Sequence, residues 1–194
     1  MKILSLGLFA ALTAAFSSCS SALAVSAVDI WKINPAGSAV KFEVKNFGLA
    51  VNGNFKKVTG QVQYDGKHLE KADVKASVEV GSIDTGIGAR DHHLESKEFF
   101  DVSKFPQATF VSQAIESQPD GSFLINGRLT LHGFVEDLKL KAKPLTESVD
   151  QSGQKHLKTE ASTDLKRKDF KIGGLAAATI SNPVNISLVV DLVK

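Results

Sequence analysis

The sequence predicts an all-β fold, an extended barrel of eight antiparallel strands with one short helix in a long connection at 82–106. Three observations carry this. Apolar and polar residues alternate with period two through most of the chain beyond residue 28. Turn-forming groups punctuate the alternation: Asp65-Gly66, Pro119-Asp120-Gly121, His132-Gly133 and Gln151-Ser152-Gly153. Finally, the chain has few helical stretches to cover the apolar faces, so the sheet must cover itself.

The first residues read as an address. Met1-Lys2 supplies a positive start, Ile3 to Phe16 an apolar centre, and Ala22-Leu23-Ala24 a small-residue cleavage site. These are the three parts of a secretory signal peptide, and the apolar run is shorter than the ~20 residues of a membrane span. Residues 1–24 are expected to be removed after Ala24, or slightly later at Val25-Ser26-Ala27, leaving 25–194 as one exported domain. Cys19 offers another route, a lipoprotein anchored through a lipidated cysteine, but Phe16-Ser17-Ser18-Cys19 departs from the usual leucine-led pattern.

The strands follow in order. Val40, Phe42 and Val44 alternate with Lys41, Glu43 and Lys45. Val58, Gly60, Val62 and Tyr64 alternate with Thr59, Gln61 and Gln63, and Val74, Ala76, Val78 and Val80 with Lys75, Ser77 and Glu79. Leu138, Leu140 and Ala142 alternate with Lys139, Lys141 and Lys143. The last segment sets Val184, Ile186, Leu188, Val190 and Leu192 against Asn185, Ser187 and Asp191. Ile30–Ile33, Ala108–Glu116, Phe123–Leu131 and Leu157–Leu165 are less regular strands. That makes eight or nine strands on short connections, which points to antiparallel neighbours. Each has one apolar and one solvated face. Two stacked sheets would satisfy the pattern; a closed barrel satisfies it and also removes unpaired edges.

Two segments interrupt the alternation. Phe47 to Asn54 reads as a short connection. Gly81 to Pro106 is long enough to have its own structure or task. Within it, Asp84 or Thr85 can cap a helix, and Ala89 to Lys97 is polar and helix-compatible.

Composition narrows the function. The 194 residues carry 23 Lys+Arg against 21 Asp+Glu, so no basic footprint points to nucleic acid. One cysteine excludes an internal disulfide framework and multi-cysteine metal sites. His92 and His93 are adjacent and diverge by about 100° on a helix, while His68, His132 and His156 are scattered. Neither a metal site nor a cofactor is expected.

In the long connection and around it, the sequence resembles the YceI family of bacterial exported, lipocalin-like polyisoprenoid-binding proteins. Trp31-Lys32-Ile33-Asn34-Pro35 and Ser38 to Phe42 are similar to its opening strands. Ser82 to Gly86, Arg90-Asp91-His92-His93-Leu94, Phe99-Phe100-Asp101-Val102 and Phe105 to Phe110 resemble its central signature. Gly127 to Gly133 and Arg167-Lys168-Asp169-Phe170 resemble its later motifs, so the likeness runs from about Ile30 to Leu192. Phe134 to Asp137, Lys171 and Ser181-Asn182-Pro183 depart from the family pattern in loops. The resemblance implies a periplasmic barrel that holds a long isoprenoid chain in its lumen, and no catalytic reaction.

On that reading, the inward residues Val40, Phe42, Val44, Val62, Val74, Ala76, Val78, Val80, Phe110, Leu129, Leu138, Leu140, Ile186 and Leu188 line the lumen. Arg90, Asp91, His93, Arg167 and Asp169 are candidates for the barrel mouth or a lipid headgroup. For Arg90 and Asp91 the favoured role is to fasten the long connection, and for Arg167 and Asp169 an ion pair or a turn. A rival reading is a lipid-modifying or hydrolytic enzyme using Asp84, Arg90, Asp91 and His93, with Ser82 nearby. No nucleophile elbow accompanies them. The expected partner is a polyisoprenoid or another long-chain lipid. The outward stripe Lys139, Lys141 and Lys143 is a solvated face that also suits transient membrane contact, and the pattern leaves a homodimer open.

Overall fold

Twelve strand segments form one antiparallel sheet in this computed structural model, which describes residues 28–194. The expected signal peptide, its cut after Ala24 and Cys19 lie outside the described residues. The segments are β1 (Asp29–Ile33), β2 (Ala39–Asn46), β3 (Leu49–Phe55), β4 (Val58–Tyr64), β5 (Asp73–Glu79), β6 (Ile83–Asp84), β7 (Gln107–Ser117), β8 (Phe123–Leu131), β9 (Phe134–Ala142), β10 (Thr146–Val149), β11 (Lys155–Lys166) and β12 (Ile180–Val193).

They make eight long strands, because β1 continues into β2, β3 into β4, β5 into β6 and β9 into β10. Each long strand pairs with the next in the chain. The last, β12, pairs with β11 on one edge and with β2 and β1 in turn on the other. The ring is therefore closed, as expected, and the two-sheet alternative falls away.

The breaks have local causes. Between β1 and β2 the chain leaves the sheet over residues 34–38 and folds onto Asp191. A Cβ on Gly37 would collide with the Asp191 carboxylate, so only glycine fits there. Asp191 stands on the outward side of β12, yet it is 3% exposed. It accepts from Asn34 Nδ2 at 2.8 Å, and His156 Nδ1 lies 2.8 Å from its other oxygen. The sequence pattern had placed it in solvent; the 34–38 excursion covers it. Between β5 and β6 a single 3-10 turn, Val80–Ser82, carries the chain around the buried side chain of Val80.

Residues 47–54, read from sequence as a connection, are mostly strand. Asn46 pairs with Leu49, leaving Phe47-Gly48 as a two-residue loop with φ of 50° and 81°. Both left-handed values belong to the tight turn whose twist matches a right-handed hairpin. The short helix α1 (Gly88–Glu95) lies inside the long connection as expected, but Asp84 and Thr85 do not cap it. Ile83 is buried and pairs with Phe55, which holds the chain extended through Asp84 and delays the helix to an N-cap at Ile87.

The interior is packed unevenly. Phe110, Ile115, Phe123, Ile125, Leu140, Ala142 and Ala161 form a buried cluster beneath β7, β8, β9 and β11. Trp31, Tyr64, Leu157 and Leu192, with Leu69 from the 3-10 turn Leu69–Lys71, plug one end. Phe99, Phe170, Ile172 and Ala177 pack at the other. Inward side chains of β2, β3, β5 and β12 such as Phe42, Val44, Val51, Val78 and Ile186 are only half-buried although they point into the barrel. They border a void.

Candidate functional site

That void is a cavity of about 340 Å³ running through the barrel, within the size range of ligand-holding pockets. The fourteen lumen positions named from the sequence all border it, from Val40, Phe42 and Val44 through Val62, Val74, Ala76, Val78 and Val80 to Phe110, Leu129, Leu138, Leu140, Ile186 and Leu188. Val51, Phe55, Leu94, Phe100, Ile180 and Val184 border it as well. Val51, Leu94 and Phe100 come from the two segments read as interruptions, where no alternation marked an inward face, and Phe55 directly follows the first of them. Once β3 is recognised as a strand, Val51 and Phe55 fall on its inward side.

The wall is thinly paired at two places among the described residues: β11 meets β9 only at Ala161 and Ser162, and β3 meets β6 over two residues. On its outer edge β3 pairs with β6 only at Asn54 and Phe55, so among the described residues Leu49 to Gly53 has no strand beside it there. The long connection turns away at Thr85 instead, and Asn46, Val51, Thr85, Arg90 and Leu94, from the segments around this unpaired stretch, border the cavity.

Arg90 is anchored rather than free. Its Nε donates to Thr85 Oγ1 at 2.7 Å and its Nη2 to the Thr85 carbonyl at 2.8 Å. Asp91 completes the arrangement, accepting from the Thr85 amide at 2.9 Å and its hydroxyl at 2.5 Å. The two side chains thus hold the start of the long connection against β6, and Arg90 still borders the lumen.

Arg167 also borders the lumen, with 8% exposure. It donates to four backbone carbonyls: Ser181 at 3.0 Å and Ile172, Ala177 and Ile180 at 2.8 Å. Burial lowers its pKa. Of the two roles expected for Arg167 and Asp169, the turn is formed and the ion pair is not among the described residues; Asp169 is exposed on the turn where its amide donates to the Lys166 carbonyl, and Arg167 is turned inward by the carbonyls of the 172–181 segment.

The residues weighed as a hydrolytic set are engaged in separate contacts. Asp84 faces Lys56 at 2.8 Å, which, with the Gly86 amide, holds its carboxyl below the usual range. Ser82 is buried, bonded to the Lys57 amide and the Glu79 carbonyl. His93 is exposed, 2.6 Å from Glu98 and edge-on to Phe99. Among the described residues no group of three His, Cys, Asp or Glu side chains can hold a metal ion.

Fold and cavity together define a lipocalin-type barrel, a closed meander of strands around an apolar lumen. The YceI-like domain family model matches residues 31–192, and the chain belongs to the YceI family. Protein YceI of Salmonella arizonae is 36% identical over 145 residues, covering 73% of this chain and 75% of that protein. The crystal structure of Burkholderia cenocepacia BcnA superposes with a TM-score of 0.71 at 25% identity, covering 84% of this chain and 99% of BcnA. A polyisoprenoid binding domain from Saccharophagus degradans, implicated in plant cell wall breakdown, shares the fold with a TM-score of 0.62 at 15% identity, covering 84% and 97%.

Proposed function

We propose that the barrel binds a long-chain lipid of the polyisoprenoid type, such as a quinone tail or a polyprenyl phosphate, and sequesters or carries it in the periplasm. The observation that supports this is the lumen itself: a cavity bordered mostly by short aliphatic and Phe side chains from all around the ring, with few polar groups among them. Each buried CH₂ contributes about 0.8 kcal/mol, so about ten give ~8 kcal/mol before association costs, the scale of a micromolar complex. A longer chain offsets those costs, and affinity then needs no headgroup contact. Long fatty chains suit the same lining. Export through removal of residues 1–24 would bring the mature barrel to the compartment where the lipid is met.

Native mass spectrometry of the protein isolated from a periplasmic extract tests the reading. A co-purifying isoprenoid lipid is expected. An empty barrel that instead turns over a lipid ester would contradict it and support the enzyme.

A further inference from the structure

The end of the barrel that carries α1 bears apolar side chains with little packed on them. Phe47, 79% exposed, and Leu49, 73%, stand at the β2–β3 turn. Ile87, 53% exposed, stands where the long connection enters α1, and Leu175, 96%, on the 3-10 turn Gly174–Ala177. The β2–β3 turn and the segment 174–179 adjoin: the Phe47 amide donates to the Thr179 carbonyl at 3.0 Å, and Thr179 Oγ1 donates to Asn46 Oδ1 at 2.7 Å.

Phe47 is placed against local preference. Its φ of 50° lies in the left-handed region, where the first residue of such a two-residue turn is best Asn, Asp or Gly. Neither the backbone nor the packing gains from a phenyl ring at this site, so the ring answers some other requirement. Basic side chains stand around it. The Lys45 amide donates to Ser181 Oγ and the Lys168 amide to Asn182 Oδ1, so Lys45 and the turn after β11 adjoin. On that turn Lys166, Lys168 and Lys171 are exposed beside the one exposed acid Asp169, with Lys171 over the Phe134 ring and Arg167 turned inward. Carboxylates on the α1 side are engaged, Asp84 with Lys56 and Glu98 with His93.

We propose that this rim docks on an anionic lipid bilayer, with Phe47 and Leu175 inserted among the headgroups and the lysines against the phosphates. The unpaired stretch of β3 then faces the membrane. The inference rests on the lipid-binding reading above, since a guest insoluble in water must enter from a bilayer. Aromatic and aliphatic insertion flanked by lysine is the recognised chemistry of interfacial attachment. A second copy on a two-fold axis would set the same basic patch against itself.

Sedimentation with vesicles of phosphatidylethanolamine and phosphatidylglycerol, against phosphatidylcholine vesicles, tests this on the parent, Phe47→Asn, and Phe47→Asn combined with Leu175→Ser. Displacement of N-phenylnaphthylamine by farnesol in solution, thermal melting and sedimentation velocity are followed on the same proteins. The parent is expected to bind the anionic vesicles, less at high salt, and to leave phosphatidylcholine unbound. Phe47→Asn should melt at or above the parent, and the double variant should bind at least about tenfold more weakly with farnesol displacement unchanged. A parent that ignores anionic vesicles, or a double variant that binds like the parent, overturns the proposal. So does a double variant that turns a dimer into a monomer while keeping vesicle binding, which would give the rim to a second copy. Absence of farnesol displacement in the parent contradicts the lumen reading, while the vesicle comparison still decides the docking.

Discussion

Arg90 holds Thr85 twice, through its hydroxyl at 2.7 Å and its carbonyl at 2.8 Å, at the point where the chain leaves the barrel wall. A guanidinium spent on a neighbour five residues away, at the edge of an apolar lumen, fastens the wall before it greets any guest. That ordering of roles leads to the first prediction.

Arg90→Ala should lower stability by about 2 kcal/mol, a fall of about 4–8 °C in Tm, because it removes two charge-assisted hydrogen bonds. Farnesol affinity should change by less than about threefold, since burial of the chain supplies most of it. Melting and titration on the same preparation separate the two. An unchanged Tm with binding lost would move Arg90 into a headgroup site.

Arg167 should be less replaceable. Arg167→Leu leaves four inward carbonyls without their donor, costing about 3 kcal/mol or more. Arg167→Lys should recover little of it, because a single ammonium cannot reproduce the planar fork that reaches both sides of the 172–181 segment. Thermal melts of the three proteins decide; a lysine variant as stable as the parent would contradict the clamp.

Stability should also respond to His156. Its hydrogen bond to Asp191 raises the imidazole pKa above the ordinary value, and the ring is largely covered. The contribution of the protonated form is complete below about pH 6.5, the unfolded value, and is lost as pH rises through the raised folded value. Tm should therefore fall across that interval in the parent and not in His156→Gln. Asp150, held at about 2 by the Ser152 hydroxyl and the Gln154 amide, keeps its charge throughout and does not confuse the profile.

The amino terminus gives a separate test. Protein recovered from cells should begin near Val25 and remain in the soluble fraction, as the signal-peptide pattern predicts. Intact-mass analysis reads this directly; a species beginning at a diacylated Cys19 would make the protein a lipoprotein.

Much of the barrel was legible because its strands have one wet and one dry face, which period two reports. Val74 to Val80 and Val184 to Leu192 are examples, and their apolar positions border the lumen. What stayed hidden depended on contacts between distant segments. β3 escaped because Gly53 sits where Phe42 places its ring: a Cβ there would collide with it, so the inward position is empty of side chain and the alternation breaks. The β2–β3 turn escaped because Phe47 occupies a conformation that usually calls for asparagine. Asp191 read as a solvated strand residue because its cover, Asn34 with the 34–38 excursion, lies more than 150 residues earlier in the chain, a span (|i−j| = 157) no local pattern bridges. The turn at Arg167 to Phe170 was one of two readings of that motif, but the acceptors of Arg167 escaped because they are backbone carbonyls, which have no sequence signature.

The central claim is that the lumen is space for a lipid chain, and Val78 tests it most directly. Val78 borders the cavity, half-buried, with Val58 and Ala108 beside it in register. Its neighbour Ser77 takes the opposite side of β5, bonded to Gln107 at 2.6 Å. Lipid co-purification, measured with thermal melting on the parent, Val78→Trp and Ser77→Trp, separates a hollow barrel from a filled one. The account predicts that Val78→Trp folds with a Tm close to the parent and loses its lipid, while Ser77→Trp keeps both. In a filled core the added ring would overpack the interior by about 1–3 kcal/mol or more. A Val78→Trp protein that unfolds outright, or one that folds and still carries the lipid, would contradict the account.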